Sequence, residues 1–163
     1  MISSRVAVAV HVLAYLAWKR DEGGTSERIA ASVNTHPVVV RRIVGALRNA
    51  GMVTVQPGVG GGAQLARHPG EITLLDVYRA VEDDEGLFSL HPQQPRRECS
   101  IGGNIQAVLQ GVFRRAKVAM EEVLERVTVE DVGREVMARA QAGGCCDAAH
   151  AAGGLVEAEA RRG

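Results

Sequence analysis

The sequence predicts a mainly α-helical fold carrying one two-stranded β hairpin and ending in a long helix. Three observations predict it. Residues 25–67 hold two short helical runs separated by Val33-Asn34-Thr35-His36, then two strand-like runs flanking Gly58-Val59-Gly60-Gly61-Gly62. From Ile105 to Val127 apolar side chains recur at alternating three- and four-residue steps, the period of a helix seam. Apolar residues make up 46% of the 163 and aromatics only 3%, so core material is ample but must come from Val, Ala and Leu.

The elements follow in order. The first helix runs from Ser4 to about Arg20 and is apolar on nearly every face, which predicts a place at the centre of the fold. Its apolar stretch, Val6 to Trp18, is too short to span a bilayer, and no small-residue cleavage site follows it, so no membrane partner is expected. Gly23-Gly24 ends it. Thr25 or Ser26 caps the second helix, which turns Ile29, Ala30 and Val33 inward and Glu27 and Arg28 to solvent. Pro37 opens the third helix, where its missing N–H costs nothing, and Gly51 fits a left-handed cap after Asn49. Within it Val40, Ile43, Val44 and Leu47 form the core face. Strand-like runs at Met52–Val55 and Ala63–Arg67 flank the glycine turn. Thr73 and Asp76 then cap a fourth helix that reaches Val81. Residues 82–98, with an acidic knot at 82–85 and two prolines, read as a loop. The long helix occupies Ser100 to Arg126, and a last short helix starts at Thr128. From about Gln141 the chain is Ala, Gly and scattered charge, with too little large apolar surface to offset ordering entropy. The expected divisions are therefore a winged helix-turn-helix unit at 1–81, a loop at 82–98, a dimerisation helix plus terminal helix at 99–140, and a flexible tail at 141–163.

Helix, turn, helix, two-stranded wing is the order by which a small domain places a helix in a DNA groove. Net charge is zero, but residues 1–70 carry eight Lys/Arg against three Asp/Glu, while residues 71–163 carry eleven against sixteen. The first half suits phosphate and the second does not. Opposite the core face of the third helix stand Val38, Val39, Arg41 and Arg42, with His36 at its entrance. An Arg can bond a guanine edge twice, Val can meet a thymine methyl, and a helix N-terminus attracts phosphate. Thr25, Ser26, Arg28, Arg48 and the wing glycines Gly58, Gly60 and Gly61 are expected to position the DNA backbone. The glycine run is not a nucleotide cradle, because Ala63-Gln64-Leu65 follows it where Gly-Lys-Ser/Thr would be needed. A seam of Ile105, Leu109, Val112, Ala116 and Val123 predicts a homodimer, since a helix this long cannot bury its stripe on a small domain alone. Packing on the first helix of the same chain is the alternative, and different faces can serve both.

The cysteines are Cys99, Cys145 and Cys146, an odd count with no disulfide framework, which points to a reducing cytoplasm. Cys99 precedes the long helix and follows Arg96 and Arg97, and both features favour a thiolate, although Glu98 opposes them. That makes it a candidate sensor thiol; an inert packing thiol is the competing reading. Cys145 and Cys146 read as incidental. His91 and Cys99 have no second close pair, so no metal site and no cofactor are expected. No Ser-His-Asp set or carboxylate pair stands out, so the chain does not read as an enzyme. A thiol-based or metal-binding sensor acting through protein contacts is the rival class.

These residues together resemble the Rrf2 family of winged-helix bacterial transcription regulators, over roughly residues 1–132. The resemblance rests on Ser4 to His11, on Arg42 to Val53 through the recognition helix, on Gly58 to Arg67 in the wing, on Ile72 to Val77 and on Cys99 to Gly102. It implies a homodimer built on a long helix, a palindromic double-stranded DNA operator, and a sensory site between the wing unit and that helix. A small molecule or an electrophile would be the effector. Family members that hold an iron–sulfur cluster carry three spaced cysteines there, whereas this chain has Cys99 alone, so it looks like the cluster-free branch. Pro57 stands where some members place a minor-groove arginine, which leaves Gln56 or Arg67 for that contact.

Overall fold

The computed structural model describes residues 4–18, 24–58, 60–82 and 90–142. The expected end of the first helix near Arg20 to Gly23, the acidic residues 83–85 and the tail with Cys145 and Cys146 lie outside them. The elements are α1 (Ser4–Trp18), α2 (Ser26–Val33), α3 (Pro37–Asn49), β1 (Val53–Gln56), β2 (Gly62–Leu65), a 3-10 turn (Pro69–Glu71), α4 (Leu74–Val81), α5 (Gly102–Glu125) and α6 (Val129–Ala142). The fold is mainly helical with a two-stranded antiparallel sheet.

Helix α1 lies at the centre, against α2, α3, α4 and α6, and buries Ala9, Val12, Leu13 and Leu16. Around it pack Ile29 and Ala30 of α2, the four expected residues of α3, and Leu75, Val77 and Val81 of α4. These are branched aliphatic side chains and alanines, close enough in size to interdigitate, and no aromatic is buried among the described residues.

Capping explains most element ends. Thr25 accepts the Arg28 N–H, and Asn34 closes α2 in the left-handed conformation with φ 58°. Helix α3 ends in a Schellman pair: Gly51, at φ 72°, donates to the Arg48 carbonyl while Met52 donates to Leu47. Thr73 and Asp76 exchange side-chain bonds with each other's backbone N–H at 3.1 Å. Thr128 and Asp131 repeat that arrangement at the start of α6.

Three features depart from expectation. Both strands are displaced, β1 starting at Val53 rather than Met52 and β2 at Gly62 rather than Ala63. Gly62 joins the ladder because it pairs with Gln56. Gly24 adds a bridge on the other side of β2, trading two backbone bonds with Ala63. A side chain at Gly62 would stand 2.8 Å from the Gly24 carbonyl oxygen, so the position needs glycine for this close approach. Last, α6 is 14 residues long rather than short, and it is α6 that packs on α1; α5 packs on α4 instead, tied there by Arg79 to Glu121 at 3.2 Å.

Candidate nucleic-acid interface

The turn between α2 and α3 uses Asn34 to reverse the chain and His36 to restart it. The His36 ring accepts the Val38 N–H through Nδ1 at 3.2 Å. That acceptor role places the proton of the neutral ring on Nε2, leaving a donor at the mouth of the helix. Pro37 follows at the first helical position. Buried Val40, Ile43, Val44 and Leu47 lock α3 onto the core, and the same rotation exposes Val38, Val39, Arg41 and Arg42 together. Val38 and Val39 are unusual in this respect, because a solvated helix gains nothing from two exposed valines in its first turn.

The two arginines differ. Arg41 Nη2 donates to Glu27 Oε1 of α2 at 3.1 Å, with the side chains 58% and 64% exposed. Glu27 is held below the usual carboxylate range by its backbone hydrogen bond and then by Arg41. Arg42 is exposed with no ion pair among the described residues. Arg28 and Arg48 are also exposed, at the start of α2 and in the last turn of α3. Thr25 is occupied in capping α2, and Ser26 is the half-buried first residue of that helix.

In the wing, Gly58 and Gly60 have φ 107° and 82°, a conformation that side chains resist. Gly61 donates to the Gly58 carbonyl, and a Cβ on it would collide with the Gln56 carbonyl oxygen. Gln56 is exposed at the tip end of β1. Arg67 sits beyond β2 and donates to the Glu71 carbonyl at 2.6 Å, so it braces the wing base rather than the tip.

Cys99 is exposed in the turn leading into α5. Its pKa is lowered by the Gly102 and Ile101 backbone N–H groups. Arg97, expected to favour the thiolate, donates to Gln94. Among the described residues Cys99 is the one thiol, and one thiol cannot replace the several cysteinates that hold an iron–sulfur cluster. Among the described residues no group of three His, Cys, Asp or Glu is placed to bind a metal ion.

Along α5 the apolar seam is split. Leu109 and Ala116 are half-buried on its shielded edge, whereas Ile105, Val112 and Val123 are exposed on its open edge. Val108, 60% exposed, adds to the open edge; its step from Val112 fits the seam, but it lies outside the run beginning at Ile105 that marked it. No residue of α5 is fully buried. No helix among the described residues is long and apolar enough to cross a membrane.

A helix-turn-helix with an exposed recognition face, a glycine-tipped wing beside it and a long helix with an apolar edge define a winged-helix regulator of the DNA-binding class. The chain belongs to the Rrf2 family: the family model described as iron-dependent transcriptional regulator matches residues 2–135. It is 45% identical over 132 residues to YwnA of Bacillus subtilis (strain 168), a protein assigned as an HTH-type transcriptional regulator, covering 81% of this chain and 96% of that one. A solved structure described as a DNA binding protein superposes with TM-score 0.64 at 40% identity, over 79% of this chain and 98% of that one. The global cysteine regulator CymR of B. subtilis superposes with TM-score 0.61 at 26% identity, over 83% and 97%. These relatives are regulators, not enzymes.

Proposed function

We propose that the chain binds a palindromic DNA operator as a homodimer and acts as a repressor. The observation that carries this reading is the joint exposure of Val38, Val39, Arg41 and Arg42 on one face of α3, beside a wing whose tip admits only glycine at Gly61. Arg41 and Arg42 take guanine edges, the two valines take thymine methyls, and His36 Nε2 takes a phosphate. Arg28, Arg48 and the backbone of Gly58, Gly60 and Gly61 set the register, with Thr25 and Ser26 presenting the start of α2. Residues 1–81 form the DNA unit and 99–140 the dimer unit in this reading. Two copies of α5 meet along Ile105, Val112 and Val123, with Leu109 and Ala116 at the edge of the seam. A dimer across a promoter blocks polymerase, hence repression.

Cys99 is the proposed chemical control point, because it is exposed and its thiolate accepts two backbone N–H groups at the entry to the dimer helix. The donor set does not fit a cluster, so DNA binding is expected without metal.

The test is a gel shift on the DNA upstream of its own gene, repeated across salt concentrations and paired with sedimentation. The reading requires dimers that select one site and whose affinity falls steeply with salt. A monomer, or binding without sequence preference, refutes it.

A further inference from the structure

An apolar cleft lies between α1 and α6, away from Cys99. There Tyr15 and Trp18 share the walls of a cleft of 810 Å³ with Val132, Val136 and Met137. The lining is mostly apolar. Its polar contribution includes the pair His11 Nε2 and Ser32 Oγ, 3.0 Å apart, which joins α1 to α2. At the rim, Arg134 pairs with Asp131 at 3.3 Å, and the exposed Glu130 carboxylate lies close to Gly70.

Size, composition and position each say something about the occupant. The volume falls within the roughly 300–1,000 Å³ of small-molecule sites. This chain has five aromatic residues, and two of them line this one cleft, including its single Trp, which is left 60% exposed. Aromatic walls with a hydrogen-bonding pair between them suit a flat ring bearing one polar atom. The lining carries one acid, Glu130, and one arginine, Arg134, of opposite sign, so it has no net charge to select an ionic ligand. A second copy of the chain has its own apolar face on α5, separate from this cleft.

We propose that the α1–α6 cleft binds an uncharged aromatic small molecule, its ring against Trp18 and Tyr15 and its polar atom at the His11–Ser32 pair. Ser32 belongs to the first helix of the helix-turn-helix, so an occupant of the cleft pushes on α2. That regulatory consequence rests on the proposed DNA reading; the binding site does not.

The experiment uses the full chain with N-phenyl-1-naphthylamine, an uncharged aromatic amine, and Trp18 as the sole intrinsic reporter. Saturable uptake of one probe per chain, with quenching of Trp18 emission, is expected. Val136→Glu puts a charge at an exposed rim position where folding is not at risk, and should weaken uptake at least tenfold. Val108→Glu, on the open edge of α5, should leave uptake unchanged. Uptake that survives Val136→Glu, or is lost in Val108→Glu, places the probe elsewhere and overturns the proposal. So does uptake that appears only on dilution, which would assign the cleft to a second copy. A chain that takes up probe as described but selects no DNA site supports the cleft and refutes the DNA reading, so the two failures are distinguishable.

Discussion

Replacing Arg41 with alanine separates what this side chain does for the fold from what it does for DNA. In the free chain Arg41 makes one exposed ion pair with Glu27. Exposed pairs of this kind contribute little, because solvent screens them and two long side chains must be ordered. Arg41→Ala should therefore leave the melting temperature essentially unchanged. On DNA the loss is larger. A guanidinium bonded twice to a guanine is worth about 1–3 kcal/mol of discrimination. A symmetric dimer makes the contact twice, so a full operator should lose about 2–6 kcal/mol, or about 30-fold to 10⁴-fold in affinity. Competition gel shifts against sites carrying each base at each half-site position would read this directly. The loss should be confined to one position per half-site, where the mutant tolerates all four bases. Glu27→Gln should act in the opposite sense on non-specific DNA, by removing an acid that faces phosphates, and should steepen the salt dependence. If Arg41→Ala binds the same site with the same base preference, the orientation of α3 on DNA proposed here is wrong.

Further outcomes follow from the same geometry. Val112→Glu would bury a charge without a partner in the α5 seam at a cost of several kcal/mol; sedimentation should show monomers and the operator should no longer shift, and a dimeric mutant would move the interface elsewhere. Gly61→Ala forces the wing tip away from the Gln56 carbonyl, so affinity for every DNA sequence should fall together while base preference stays; a selective loss at one base pair would contradict this. Asp131 is held below the usual carboxylate range, first by its side-chain bond with Thr128. A depressed pKa contributes stability that is complete above the unfolded value and is lost as pH falls through the folded one. Acid melts should therefore show a loss below about pH 4 that Thr128→Ala reduces, and identical acid profiles would refute the cap. Cys99, its thiolate favoured by two backbone N–H groups, should alkylate at lower pH than an ordinary thiol near pKa 8.5; peptide mapping that places its inflection at or above that value removes it as a sensor.

Local chemistry was legible in the sequence wherever one residue type has one strong use. Pro37 and Gly51 bound α3, and Thr73 with Asp76 opened α4, because each cap is settled within a few residues. The four-residue strands were displaced because Met52-Val53-Thr54-Val55 alternates equally well in either register, and only the pairing of Gln56 with Gly62 decides. The Arg41–Glu27 pair could have been suspected from two charges facing each other across the turn, but nothing local requires it. The cleft was invisible for a different reason. Its walls are more than a hundred residues apart in sequence, and α6 shows no period that names α1 as its partner. Near Cys99 the helix start was legible: the backbone N–H donors expected there are the groups that lower the thiol pKa, whereas the adjacent Arg96 and Arg97 are not among them.

The starts of α4 and α6 are sewn together by two backbone bonds, Leu74 N–H to the Val127 carbonyl at 2.8 Å and Val129 N–H to the Ile72 carbonyl at 2.9 Å. This seam fastens α5 at its C-terminal end only, while Arg79–Glu121 holds it a turn further back. Within one chain, these bonds hold the helix as a beam clamped near its C-terminal end. Its 24 residues make it about 36 Å long at 1.5 Å per residue. A rotation of only about 5° at the clamp moves the far end, where Cys99 and Ile101 lie, by about 3 Å over that length. The same leverage works in reverse. In the proposed dimer, bulk added near Cys99, or a wedge between α1 and α6, would need only a small torque at the clamp to change the reach between two recognition helices set one DNA turn apart. A beam with one fixed end turns a local chemical event into a change of span, without any element having to unfold.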